Sequence, residues 1–115
     1  MITIERITQD NIRACAKLEP AEEQKQYIST NLGTIAWAYV DPTFTPYAIC
    51  DGDTVVGLCA VEYIPDNESY DRHWVPRFMI GAQYQGKGYG RKAIMKIIEM
   101  IQNQYPDCER VRLSV

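Results

Sequence analysis

Arg77-Phe78-Met79-Ile80-Gly81-Ala82-Gln83-Tyr84-Gln85-Gly86-Lys87-Gly88-Tyr89-Gly90-Arg91-Lys92 is the stretch on which the rest of this chain depends. An apolar run passes into a loop with glycine at alternate positions. The loop passes directly into a segment whose Ala93, Ile94, Ile97, Ile98 and Ile101 share one face of a helix. Strand, glycine loop and helix N-terminus in this order make an anion cradle. Glycines let a ligand approach the backbone, and the N–H groups of the loop and first helical turn can converge on one bound group. The helix dipole adds partial positive charge, and Lys87, Arg91 and Lys92 add full charges. The expected ligand carries phosphate.

The spacing narrows the choice of ligand. A phosphate-binding Walker loop needs Lys-Ser or Lys-Thr after its last glycine, whereas Gly90 is followed by Arg91 and Lys92. The dinucleotide fingerprint needs its third glycine three residues after the second, and here Gly90 follows Gly88 by two. What remains is Gln-x-x-Gly-x-Gly, present as Gln85-Gly86-Lys87-Gly88-Tyr89-Gly90 and preceded by Tyr84. This resembles the acetyl-coenzyme A pyrophosphate loop of the GNAT acetyltransferases.

Outward from the loop, the bulk properties bound the answer. At 115 residues the chain is one domain near the lower end for burying a generous core. A net charge of -3 and a pI near 5.1 argue against nucleic acid as the main partner and suit a cationic substrate. Cys15, Cys50, Cys59 and Cys108 are scattered, with no Cys-x-x-Cys pair and a single histidine, His73, so buried thiols are expected rather than zinc or disulfides. The opening residues contain no long apolar run, and no apolar segment has membrane length. A cytoplasmic protein is expected.

Along the chain, Ile2, Ile4 and Ile7 alternate with polar residues as in a short strand. Thr8 or Asp10 offers a cap for a helix carrying Ile12, Ala14, Cys15 and Leu18, which ends near Pro20. Ala21 to Ile28 predicts a second short helix with Tyr27 and Ile28 as its apolar contacts, and Leu32 to Val40 a third. Asp41 to Pro46, with two prolines, predicts a loop. Tyr47 to Cys50, a turn at Asp51-Gly52-Asp53 and Val55 to Ile64 predict a hairpin. A dinucleotide fold would instead place strand-helix-strand units around its glycine loop. Asp66, Glu68 and Asp71 lie in an acidic turn, and Arg72 to Ile80 is a strand in which Pro76 cannot donate to a ladder, so a bulge or unpaired edge is expected there. After the helix from Gly88 to about Gln104, Arg110 to Val115 alternates as a strand, parallel to Arg72 to Ile80 because a crossover helix joins them.

The order strand, helices, hairpin, strand, glycine loop, helix, strand resembles the first two-thirds of a GNAT domain. The expected class is α/β (α+β): a mixed, mostly antiparallel sheet flanked by helices and truncated after the fifth strand. Within the family, Trp74 to Tyr89 looks most like small bacterial spermine and spermidine acetyltransferases, although such enzymes commonly carry a carboxylate where this chain has Pro76. The resemblance implies acetyl-coenzyme A held by the backbone of Phe78, Met79 and Ile80 and by Gln85, Gly86, Lys87, Gly88, Tyr89, Gly90, Arg91 and Lys92. It further implies a primary amine of a small molecule, such as a polyamine, as acceptor. Trp37, Tyr39 and Phe44 fall in the region that often walls the acceptor site. Glu62 is the first candidate for catalytic base, the alternative being a solvent-facing strand residue; His73 and Tyr84 are weaker candidates. A complete family member continues into a helix and two more strands, with an Asn-x-x-Ala motif and a tyrosine that can protonate the departing thiolate. Without that part an exposed edge is expected to favour a homodimer or lower stability. The alternative function is a catalytically incomplete acetyl-coenzyme A-binding or interaction module.

Overall fold

A computed structural model describes residues 1–26 and 30–113. The strands β1 (Ile2–Arg6), β2 (Phe44–Asp51), β3 (Thr54–Tyr63), β4 (His73–Ile80) and β5 (Arg112–Leu113) form one sheet in sequence order. The first four are antiparallel, and β5 joins β4 in parallel. Helices α1 (Ile12–Lys17) and α2 (Asn31–Val40) cover one face, and α3 (Tyr89–Gln104) covers the other. The mixed, mostly antiparallel sheet expected from the sequence is therefore present.

Strand alternation divides the core in two. Ile49, Cys59, Val75 and Ile80 meet Ala93, Ile97 and Ile101 of α3, while Ala48, Cys50, Leu58 and Met79 meet Cys15 of α1. Ile94 and Ile98, expected on the buried face of α3, lie at its margin and are half-buried. Burial pushes the thiol of Cys15 up to about 11 and that of Cys50 up to about 12, and it raises Cys59 as well. These thiols stay protonated at neutral pH and act as packing groups.

Several local expectations need correction. Of the two expected caps Thr8 makes the bonds, its Oγ1 accepting from Asp10 N–H (3.2 Å) and its C=O from Ile12 N–H (3.0 Å), whereas the residue flanking α1 itself is Asn11. Its amide is used to close the preceding turn, accepting from Thr8 N–H (2.8 Å) and donating to Arg6 C=O (2.9 Å). The helix expected over Ala21 to Ile28 is reduced to a 3-10 turn at Glu22–Gln24, among carboxylates and amides with no buried contact; Tyr27 and Ile28 lie outside the described residues. The loop expected over Asp41 to Pro46 is strand from Phe44 onward. Pro46 is tolerated there because β1 accompanies β2 only from Tyr47, which leaves Phe44 to Pro46 as a local edge. The strand expected over Arg110 to Val115 is described as strand only at Arg112–Leu113, with Ser114 and Val115 outside the described residues.

The end of α1 is closed by a side chain from α2. Asn31, buried, donates to the carbonyls of Cys15 (2.8 Å) and Leu18 (3.2 Å), satisfying acceptors that the short helix leaves free. Thr30 caps α2 itself by accepting from Gly33 N–H at 3.0 Å.

His73 is not near the glycine loop. It is buried on the α3 face, with its ring centroid 5.0 Å from that of Tyr63 and 4.8 Å from that of Tyr105, and its Nδ1 has no hydrogen-bond partner among the described residues. Burial, with the nearby Arg72 charge, lowers its pKa below the ordinary 6.5. The unfolded chain therefore takes up this proton first, so stability is full above pH 6.5 and falls as pH drops below it. His73→Phe is expected to flatten that part of the curve, checked by urea midpoints at about pH 7.5 and about pH 5.5.

Candidate active site

β4 changes register halfway. Ala60 faces Arg77 and Glu62 faces Trp74, so Val75 and Pro76 together stand opposite Val61 alone. This is the bulge expected at Pro76. β5 accompanies β4 at Trp74 and Val75, as far as the first residue of the bulge, and among the described residues no strand lies beside Phe78 to Ile80 on that side.

Which backbone groups are free there follows from the ladder. Hydrogen bonds in an antiparallel pair fall on alternate residues. Gly81 N–H donates to Val56 C=O at 2.8 Å, so Met79 turns its N–H toward Leu58, and Phe78 and Ile80 turn theirs outward. The expectation that Phe78, Met79 and Ile80 all offer backbone donors is thus corrected to Phe78 and Ile80. Met79 contributes its side chain to the core beneath.

The loop that follows is shaped by glycine. Gly86 and Gly88 have φ of 76° and 82°, in the left-handed region that glycine adopts without penalty, and a Cβ at either would meet nothing within 4 Å. The space in front of both is open. Gly88 flanks α3, whose first i to i−4 bond is Lys92 N–H to Gly88 C=O (3.3 Å), so the N–H groups of Tyr89, Gly90 and Arg91 have no helical acceptor. Phe78, Ile80, Tyr84, Gln85, Gly86, Gly88, Tyr89 and Gly90 line a cleft of about 270 Å³ together with Met79 and Gln24. Lys87, Arg91 and Lys92 lie outside its wall, exposed and without an ion-pair partner among the described residues, placed to add charge at the rim.

Two loop side chains have structural tasks. Gln85 Nε2 donates to Ile80 C=O (2.9 Å) and to Gln24 Oε1 (3.1 Å), clamping the end of β4 and the 3-10 turn to the loop. The Tyr89 hydroxyl donates to Asp51 Oδ2 at 2.7 Å, which ties the start of α3 to the β2–β3 turn. That bond lowers the Asp51 pKa and raises that of Tyr89, so the phenol keeps its proton. Tyr84 packs edge-on against Tyr89, with centroids 6.4 Å apart.

Glu62 lies on β3 beside the bulge, on the face that carries Leu58 and α1. Cys59, opposite Phe78, is three residues back, about 10 Å along the strand. The half-buried carboxylate accepts from Thr43 Oγ1 at 3.2 Å. Of the three aromatics considered for the acceptor wall, Phe44 is core at 5% exposure, Trp37 is 52% exposed and donates to Asp41 (3.1 Å), and Tyr39 at 93% touches little. Asp71 pairs with Arg112, whereas Asp66 and Glu68 are solvated. Sequence reasoning missed Gln24, Asp51, Asp41 and Thr43. Only Asp41-Pro42-Thr43 carries a local signal, that of an aspartate bonding its own backbone two residues on.

Comparison with known proteins agrees with this architecture. Residues 5–115 match the acetyltransferase (GNAT) family. The spermine/spermidine N(1)-acetyltransferase of Bacillus subtilis (strain 168) is 30% identical over 118 aligned positions, which cover 99% of this chain and 76% of that protein. Among solved structures, a GNAT family acetyltransferase of Staphylococcus aureus subsp. aureus USA300_TCH1516 has a TM-score of 0.69 at 12% identity, covering 99% of this chain and 86% of that one. A predicted acetyltransferase of Clostridium acetobutylicum, solved with acetyl-CoA, has a TM-score of 0.59 at 8% identity, covering 100% of this chain and 81% of that one. From the extent of the family match, and from a sheet whose fourth strand opens onto a glycine loop and helix N-terminus, the chain belongs to the acetyltransferase (GNAT) family and is an enzyme of the acyl-CoA N-acyltransferase type.

Proposed function

We propose that this chain transfers an acetyl group from acetyl-coenzyme A to a primary amine of a small molecule, with polyamines as the acceptor class. The observation that carries it is the outward N–H groups of Phe78 and Ile80 leading into the open, left-handed glycines of the loop. A pantetheine arm requires extended hydrogen bonding, and a pyrophosphate requires converging donors and space; these residues offer both in the right order. Acetyl-coenzyme A supplies the activated thioester, and its acyl carbonyl would be polarised by an outward N–H of β4 as charge develops on oxygen.

The amine must lose a proton before it attacks. Glu62 is the proposed base, acting through water because about 10 Å of strand separates it from the level of Phe78. The similarity to a spermine/spermidine acetyltransferase supports a cationic acceptor, as does the net charge of -3.

The direct test is calorimetric titration of acetyl-coenzyme A, ATP and NAD into the 115-residue chain, followed by thiol release with spermidine. Binding of acetyl-coenzyme A alone, with thiol released only when spermidine is present, is the expected outcome. Equal binding of ATP or NAD would overturn the assignment, and binding without thiol release would favour a non-catalytic module.

A further inference from the structure

Among the described residues one side chain, that of Thr43, hydrogen-bonds Glu62, and it is held from several directions. Thr43 N–H donates to Asp41 Oδ1 at 3.0 Å, and Thr43 C=O accepts from Tyr63 N–H at 3.0 Å. Its backbone is thereby fixed between the end of α2 and the end of β3. Its hydroxyl lies 2.7 Å from Asp41 Oδ1 and 3.2 Å from Glu62 Oε2. Asp41 is itself anchored through Oδ2, which accepts from Trp37 Nε1 at 3.1 Å. The bonds from Thr43 hold the Asp41 carboxylate below its ordinary pKa, so it stays ionised as an acceptor.

A threonine hydroxyl has one proton and two lone pairs. Between two carboxylates it can donate to only one at a time, and rotation about Cβ–Oγ1 selects which. When Glu62 is ionised, the hydroxyl can donate to it while Asp41 keeps the N–H groups of Thr43 and Trp37. When Glu62 has taken up a proton, it can donate to Thr43 Oγ1 while the hydroxyl proton turns to Asp41. In both states the Thr43 N–H, the Trp37 Nε1–H and the hydroxyl proton each keep a carboxylate acceptor, and no proton is lost or gained beyond the one that Glu62 accepts.

We propose that Thr43 is a positioning residue for Glu62, a rotating hydroxyl that serves both protonation states of the base, with Asp41 as the alternate acceptor of its proton. The assignment rests on Glu62 acting as the base in acetyl transfer. Thr43 touches neither acetyl donor nor amine, and its effect passes through Glu62. Valine keeps the shape of threonine without the hydroxyl, whereas serine keeps the hydroxyl without the methyl group.

The test is steady-state kinetics with acetyl-coenzyme A and spermidine on the unsubstituted chain and on Thr43→Val, Thr43→Ser, Glu62→Gln and the Thr43→Val/Glu62→Gln double variant. Thr43→Val is expected to lower kcat about tenfold with both KM values within about twofold, and Thr43→Ser to recover most of the loss. In the Glu62→Gln background, Thr43→Val should have no further effect on kcat, because the residue acts only through the carboxylate. A Thr43→Val chain with unchanged kcat, or one whose loss adds in full to that of Glu62→Gln, would overturn the inference while leaving Glu62 as base. Glu62→Gln with full activity would overturn the base assignment itself, and the role of Thr43 with it. Failure of the unsubstituted chain to release thiol with spermidine would remove both.

Discussion

Gly88→Asp is expected to abolish acetyl-coenzyme A binding, with affinity falling more than about a hundredfold because like charges brought together cost several kcal/mol. Gly88 has a φ of 82°, and the space where its Cβ would stand is empty. A carboxylate placed there enters the volume assigned to the pyrophosphate and faces the free donors at the start of α3. Gly88→Ala separates strain from charge. Its Cβ meets nothing within 4 Å, so only the left-handed backbone opposes it, at about 1 kcal/mol of folding stability, a strain shared by free and bound chain that leaves affinity nearly unchanged. Calorimetry on both variants, with circular dichroism melts to confirm that each folds, gives the comparison. Binding by Gly88→Asp at the affinity of the unsubstituted chain would remove the loop from the site.

Glu62→Gln is expected to reduce kcat by about a hundredfold or more at neutral pH, the usual contribution of a positioned base, without changing acetyl-coenzyme A binding. The pH dependence distinguishes this from a structural effect. An aliphatic ammonium ionises near pH ~10, so free amine becomes abundant as pH rises and the need for a base shrinks. The deficit of the variant should therefore narrow from about pH 7 to about pH 9.5. A deficit constant across that range would mean that Glu62 holds the site together instead of moving a proton.

Much of the fold was legible because its signals are local and periodic. Alternation placed β1, an Asp-Gly turn between two apolar runs placed β2 and β3 as a hairpin, and the isoleucine stripe of α3 fixed which face meets the sheet. The bulge was legible because Pro76 lacks a donor. Pro46 misled for the same reason: a missing donor matters only where a neighbouring strand asks for it, and the length of β1 decides that from outside the segment. Within the described part of the helix expected over Ala21 to Ile28, Glu22 to Gln24 form only a 3-10 turn, because helix-favouring residues that bury nothing gain little from tertiary packing. At the site, the glycine spacing identified the loop, but it could not show that every second N–H of β4 is consumed by β3. Nor could it show that Gln85 and Tyr89 turn their polar ends to Ile80, Gln24 and Asp51, partners as far as 61 residues away.

The clamp formed by Gln85 bears on how such a protein avoids aggregation. A strand edge left open for a ligand is also a template on which a strand from another molecule can grow. At the end of β4 the outward carbonyl of Ile80 is already taken by Gln85 Nε2, so an incoming strand finds its last acceptor blocked. The bulge at Val75 and Pro76 breaks the repeat at the other end. Among the described residues, the run of β4 left unaccompanied between these two stops is Arg77 to Met79, a much shorter template than a whole strand edge.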